Sequence, residues 1–298
     1  MTLRIAVSVD IVSILTIFWA RHKDELGVAV NERSWVGKVA LVTGASRGIG
    51  RALALSAAGL GADVVITARS LNRSPGAVSL ADTAAAVRAL GRECEPVAAD
   101  LSAPGGVATV AAAALARFGH VDLLVNNAAV LTPEVYESFW DMSEASWRYQ
   151  IELNLTTYWL MMKAIAPGMR DAGGGTIVNM TSGATGYPLA DGIVEQDAVL
   201  GAAYPASKEA VTRLSKDLAP ELAAAGIAVL ALHPGVTRTE SNVEHTTAHG
   251  FNVERSHGVE VPVAAFEAIL RGDPMAYTGE VIYAPAFVET LVPAVVER

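Results

Sequence analysis

The chain has 298 residues, 52% of them hydrophobic, with a formal net charge of −9 and a pI near 5.2. That size can bury a large core and suits one α/β domain, while the acidic balance excludes general attraction to nucleic acid or to an anionic membrane surface. The single cysteine, Cys94, excludes an internal disulfide, has no Cys/His set around it for zinc, and fits a reducing, cytoplasmic setting. Glu93 and Glu95 flank it and disfavour a thiolate nucleophile.

Residues 1–34 form an apolar extension ahead of a domain over residues 35–298. Ile5 to Ala20 is mostly apolar but is interrupted by Ser8, Asp10 and Ser13 and is shorter than the ~20 residues of a membrane span. No small-residue cleavage site precedes Arg21 to Glu25, so a secretory signal does not fit either. A helix packed on the body or on a partner subunit, a helix in a membrane interface, and a dispensable extension all remain open.

Lys38 to Val42 is a short β-rich run, and Ile49, Leu53 and Leu55 mark the apolar side of an alanine-rich helix. Between them lies Thr43-Gly44-Ala45-Ser46-Arg47-Gly48-Ile49-Gly50. Strand, glycine turn and helix in that order describe a phosphate cradle, because glycine permits a sharp turn and close approach while the helix start presents N–H groups to an anion. The spacing is G-x-x-x-G-x-G, not G-x-G-x-x-G, and a plain glycine turn between core elements is the alternative.

The alternation then continues. Asp63 to Thr67 is a strand, 77–90 a helix, Pro96 to Asp100 a strand, Gly106 to Phe118 a helix, and Val121 to Val125 a nearly continuous apolar strand. A long helical stretch around Trp147 to Met169 precedes a fifth strand, Thr176 to Met180, and a helix with the stripe Val211, Leu214, Leu218 and Leu222 precedes a sixth, Ile227 to Leu232. Val263 to Leu270 and Glu280 to Tyr283 close the chain as helix and strand. Strands alternating with helices predict parallel βαβ units and an α/β, Rossmann-like doubly wound sheet. Ligands collect beyond the carboxyl ends of such strands. The exits here are the glycine turn, Ala68-Arg69-Ser70, Asp100-Leu101, Asn126-Asn127-Ala128-Ala129, Thr181-Ser182-Gly183 and His233-Pro234-Gly235. An irregular polar stretch at about 237–260 and a mixed apolar and polar one at about 185–200 read as substrate loops.

Tyr204 and Lys208 share a helix face at i,i+4 spacing, so an ammonium beside the phenol favours its ionisation and equips Tyr204 to exchange a proton with a substrate oxygen. Pro205 sets Tyr204 at the helix edge. His245 and His249 have helical spacing beside Glu244, but nothing completes a metal set, and none is expected.

Thr43-Gly44 with Gly48 and Gly50, Asn126-Asn127-Ala128, Ser182, Tyr204 with Lys208, and Pro234-Gly235, in this order, resemble the single-domain branch of the short-chain dehydrogenases/reductases. The resemblance spans about Gly37 to Ala284. It implies hydride transfer at a carbinol or carbonyl carbon, a nicotinamide cofactor, a small-molecule substrate and assembly as dimers or tetramers. It also implies Tyr204 as general acid/base, Lys208 as its partner and a ligand of the nicotinamide ribose, and Ser182 as holder of the substrate oxygen. Asn154 matches the helix asparagine of a water relay, Asn126 the brace of the central sheet, and Pro234, Gly235, Thr237 and Thr239 the contacts of the nicotinamide carboxamide. Ser46, Arg47, Ile49, Asp100, Leu101, Asn127 and Ala128 complete the implied cofactor contacts. Ala129 stands where glycine is usual, Thr237 replaces an apolar residue, and 22 positions separate Ser182 from Tyr204. Asp191 to Asp197 carries that excess length.

A ribose 2′-hydroxyl is usually held by an acid about 20 residues past the glycine turn. Ala68 stands there instead, with Arg69 next to it and Arg47 in the turn, a set suited to a 2′-phosphate and therefore to NADP(H). The expected activity is that of a carbonyl reductase or alcohol dehydrogenase. A nucleotide-binding sensor or scaffold without turnover is the rival, and an epimerase or dehydratase holding its nicotinamide tightly is a second.

Overall fold

The computed structural model describes residues 35–72, 77–130, 133–182, 200–239 and 256–291. The expectations for residues 1–34, most of both substrate loops, Asp191 to Asp197 and the His245/His249 pair lie outside them. Seven strands form one parallel sheet: β1 (Val39–Thr43), β2 (Asp63–Ala68), β3 (Cys94–Ala98), β4 (Leu123–Asn126), β5 (Gly175–Met180), β6 (Ile227–His233) and β7 (Val281–Tyr283). The order across the sheet is β3-β2-β1-β4-β5-β6-β7. The chain reverses its winding between β1 and β4, which opens a crevice at their carboxyl ends. The helices are α1 (Gly48–Gly59), α2 (Leu80–Ala89), α3 (Gly106–Phe118), α4 (Glu144–Ile151), α5 (Thr157–Asp171), α6 (Ala203–Ala223), α7 (Glu260–Arg271) and α8 (Ala284–Leu291).

Side-chain alternation along the central strands feeds two cores. Ala40 and Val42 of β1, Val178 and Met180 of β5, and Leu230 and Leu232 of β6 join α1, α2 and α7 on one face. Val39, Leu41, Ile177 and Val229 join α3, α5 and α6 on the other. Both faces are covered, so the strands are apolar throughout rather than every second residue. Cys94 is buried in β3, and burial pushes its thiol up to about 12. The passive role expected for it therefore holds, with desolvation rather than the neighbouring carboxylates as the leading cause.

The strand and helix types follow the sequence reading, but several boundaries moved. β3 begins at Cys94, two residues before Pro96, because it is an edge strand and a proline there costs no rung of the ladder. α7 begins at Glu260, since Pro262 lies in the first turn, where backbone N–H groups have no helical partner anyway. The single long helix expected around Trp147 to Met169 is split by a π-turn, Glu152–Thr156, between α4 and α5. No helix among the described residues is long and apolar enough to cross a membrane.

Candidate active site

The exits of β1 and β4 are fastened by Thr43. Its hydroxyl donates to the Val125 carbonyl at 3.3 Å and accepts from the backbone N–H groups of Asn127 at 2.8 Å and Ala128 at 3.0 Å. Asn127 Nδ2 returns to the carbonyls of Thr43 at 2.9 Å and Gly44 at 3.4 Å. The glycine turn fits into this clamp. Gly44 and Gly48 have φ of 67° and 54°, the left-handed region that favours glycine. A Cβ on Gly44 would lie 2.9 Å from Ala128 Cα, one on Gly48 3.2 Å from Thr239 Cγ2, and one on Gly50 would collide with the Asn127 amide and the Gly44 carbonyl. The glycines are thus required by backbone shape, as the sequence reading held, and also by packing against the protein, which that reading did not include.

Arg47 is the extended N-cap of α1, and neither a side-chain cap nor an acidic residue occupies the first turn. That end of the helix is electropositive and suited to an anion. Ser46 and Ile49 are half-buried beside it, with Ile49 packed on the core. Arg69 is exposed at the exit of β2 and acts electrostatically on Asp100 beyond β3. Hydrogen bonding from Ser102 is the main reason Asp100 lies below the usual carboxylate range, and its Oδ1 accepts from Ser102 Oγ at 2.6 Å. Leu101 is buried, and its carbonyl accepts from Thr157 Oγ1 at 3.2 Å.

The π-turn carries Asn154 into the interior. Asn154 Oδ1 accepts from the Val130 N–H at 2.9 Å, and Nδ2 donates to Ser207 Oγ at 3.0 Å. Ser207 Oγ in turn donates to the Tyr204 carbonyl at 2.7 Å. Both polar ends of the Asn154 side chain are therefore engaged with protein, and they tie the β4 exit to the first turn of α6. Asn126 does brace the sheet: its Nδ2 donates to Asn179 Oδ1 of β5 at 2.9 Å, and Asn179 Nδ2 donates to Ser215 Oγ of α6 at 3.0 Å.

Tyr204 is the second residue of α6, at the helix edge as expected, and its hydroxyl is hydrogen-bonded to Ser182 at the exit of β5. The expected lowering of its pKa by Lys208 is corrected here. Burial pushes the Tyr204 phenol up; the Ser182 hydrogen bond opposes this, nearby Tyr136 adds to it, and Lys208 is not among the causes. Lys208 points elsewhere: Nζ donates to the Met180 carbonyl at 2.8 Å and to Tyr158 Oη at 3.1 Å. Burial depresses Lys208 to about 7. Tyr158, fully buried on α5, was missed because one aromatic in a helical stripe reads as core.

The exit of β6 forms a tight turn in which Thr237 Oγ1 donates to the Pro234 carbonyl at 3.1 Å, and Thr237 pairs with His257 in an isolated bridge. Gly235 has φ of 75°, and its N–H donates to His233 Nδ1 at 2.9 Å. Burial depresses His233 to about 4. An unfolded histidine takes up its proton near pH 6.5, so His233 contributes stability fully above that pH and loses it as pH falls to about 4. Denaturant midpoints are expected to drop across this window, and His233→Gln, which keeps an acceptor for Gly235, should flatten the drop.

A parallel sheet wound in two directions, with a glycine-lined turn at the switch point and a Ser182–Tyr204 hydroxyl pair two exits away, defines a Rossmann-like α/β protein. The chain belongs to the short chain dehydrogenase family, whose model matches residues 38–249, and it is an oxidoreductase of that family. It is 37% identical over 203 residues to oxidoreductase UcpA of Escherichia coli strain K12, covering 68% of this chain and 70% of that protein. It is 38% identical over 204 residues to D-threitol dehydrogenase of Mycolicibacterium smegmatis, covering 68% and 72%. A metagenomic short-chain oxidoreductase solved in complex with NADP superposes with a TM-score of 0.66 and 33% identity over 84% of this chain and 97% of that one.

Proposed function

We propose that the protein is an NADP(H)-dependent reductase of carbonyl compounds, or dehydrogenase of the corresponding alcohols, acting on a small molecule and working as a dimer or tetramer. The observation that carries this reading is the hydroxyl pair of Ser182 and Tyr204, with Lys208 one helical turn further on, beside the switch-point crevice. The residues at the crevice fit a dinucleotide: the N-cap side chain makes no cap bond to the start of α1 and no acid stands in its first turn, Arg47 and Arg69 supply cations, and the β2 exit carries Ala68 where an acid would repel a 2′-phosphate. The NADP held by the metagenomic relative agrees with this choice. Gly44, Ser46, Arg47, Gly48, Ile49 and Gly50 would hold the pyrophosphate side, Arg69 the 2′-phosphate, and Asp100, Leu101, Asn127 and Ala128 the adenosine and its ribose. Pro234, Gly235, Thr237 and Thr239 would hold the carboxamide.

A bound nicotinamide supplies or accepts the hydride. The chain's residues manage the oxygen and its proton. Burial keeps the Tyr204 phenol protonated at neutral pH, the state needed to donate to an alkoxide as it forms. Ser182 offers a second hydroxyl to the same oxygen, so charge that develops mainly in the transition state is met by groups already in place. Lys208 would hold the ribose, and burial brings the midpoint of its ammonium down to about 7. Asn154 and Ser207 fix the first turn of α6 and with it the phenol.

The direct test is the change in nicotinamide absorbance when the purified protein meets ketones, aldehydes, polyols and ketoses with NADPH, NADH, NADP or NAD. Turnover that prefers NADPH supports the reading; failure of all four nucleotides to bind would end it. Arg69→Asp is expected to cut the preference for NADPH over NADH by about 10–100-fold, the worth of one charge-assisted hydrogen bond. Comparison of the two kcat/KM values measures it.

A further inference from the structure

Tyr158 lies on α5 with no accessible surface, and Lys208 on α6 is 2% exposed. The phenol oxygen accepts from Lys208 Nζ at 3.1 Å, while the ammonium carbon chain brings Nζ to 4.8 Å from the centre of the same ring. The phenol thus offers the amine a lone pair, a contact that favours a cation over a neutral amine. The Met180 carbonyl supplies a second acceptor at 2.8 Å. These two acceptors leave one ammonium hydrogen for a further acceptor. The ionisable groups acting on the pair from the surrounding elements are Tyr204 on Tyr158 and, through Tyr204, Tyr136; no carboxylate among the described residues shifts either member.

We propose that Tyr158 is a positioning residue of this site, whose hydroxyl, together with the Met180 carbonyl, aims the Lys208 amine at the crevice and holds it in its ammonium form. This rests on the role given above to Lys208 and adds a residue outside the Ser182, Tyr204 and Lys208 set. Tyr158→Phe keeps the ring and removes the hydroxyl. With the amine less well held as a cation, its proton is lost about one pH unit lower, a tenfold smaller ammonium fraction above the midpoint.

The experiment measures NADP binding by calorimetry from pH 6 to 9, together with the pH dependence of kcat and KM, in the parent and Tyr158→Phe proteins. Binding should weaken as pH rises, with its midpoint about one unit lower in the variant, and the kcat profile should move while substrate KM stays within about threefold. A variant of lowered melting temperature whose two pH profiles coincide with the parent's would overturn the proposal and leave Tyr158 as packing. Lys208→Met separates the two readings: if it binds NADP and turns over like the parent, the assignment of Lys208 itself fails. Should Tyr158→Phe not fold, carbon NMR of the parent answers the question. The Tyr158 Cζ resonance must shift at the pH midpoint of Lys208 Cε, and a Cζ resonance flat through that midpoint overturns the proposal.

Discussion

Tyr204→Phe is expected to lower turnover by about 10²–10⁴-fold, the usual worth of a positioned proton donor, with NADPH binding retained. The change removes one oxygen and keeps the ring at the second position of α6, where the backbone is already fixed by the Tyr204 carbonyl, Ser207 and Asn154. Ser182 loses its hydroxyl partner but keeps its place at the exit of β5, so any residual rate measures what that second hydroxyl achieves alone. Single-turnover kinetics with a substrate found in the screen would decide the matter. A variant reducing it at the parental rate would remove Tyr204 from the chemistry.

Gly50→Ala is expected to cost about 2–4 kcal/mol of stability, the sum of a small overpacking cost and two broken hydrogen bonds. The position of the missing Cβ is taken by the Asn127 amide and the Gly44 carbonyl. A methyl there would push Asn127 Nδ2 away from the Thr43 and Gly44 carbonyls and open the clamp between β1 and β4. NADPH affinity should fall at least tenfold in the same variant, because the turn and the start of α1 shift with it. Gly59→Ala is the comparison: a Cβ at that last residue of α1 meets nothing within 4 Å, and the substitution should be neutral or slightly stabilising. Equal denaturation midpoints for the Gly50 variant and the parent would refute the packing argument.

Much of this architecture was readable in the order of residues, because periodicity and glycine placement are local signals. The alternation of apolar strands with helices gave the parallel sheet, and the polar exits pointed to its carboxyl edge. What could not be read were effects set by contacts distant in the chain. Tyr158 is one aromatic among the apolar residues of α5 until Lys208 arrives from a helix 50 positions later. The direction of the Tyr204 shift is another: spacing alone placed Lys208 beside it, whereas the fold sends the amine to Met180 and Tyr158 and leaves burial to dominate. The π-turn at Glu152–Thr156 is a third, since it stands within a helical pattern and is accounted for by the inward bonds of Asn154.

The outer margin of β3 has a consequence for how copies of this chain can meet. Val64 bonds to the Glu93 carbonyl and Ala99 to Ala68, so odd-numbered residues of this strand face β2 and Cys94, Pro96 and Ala98 face away. Along that outward row Pro96 has no hydrogen to give, and the Cys94 carbonyl is already taken by Arg88 Nη2 at 2.7 Å. A neighbouring molecule therefore finds no continuous ladder to extend, and fibre-like growth by strand addition is blocked at this margin.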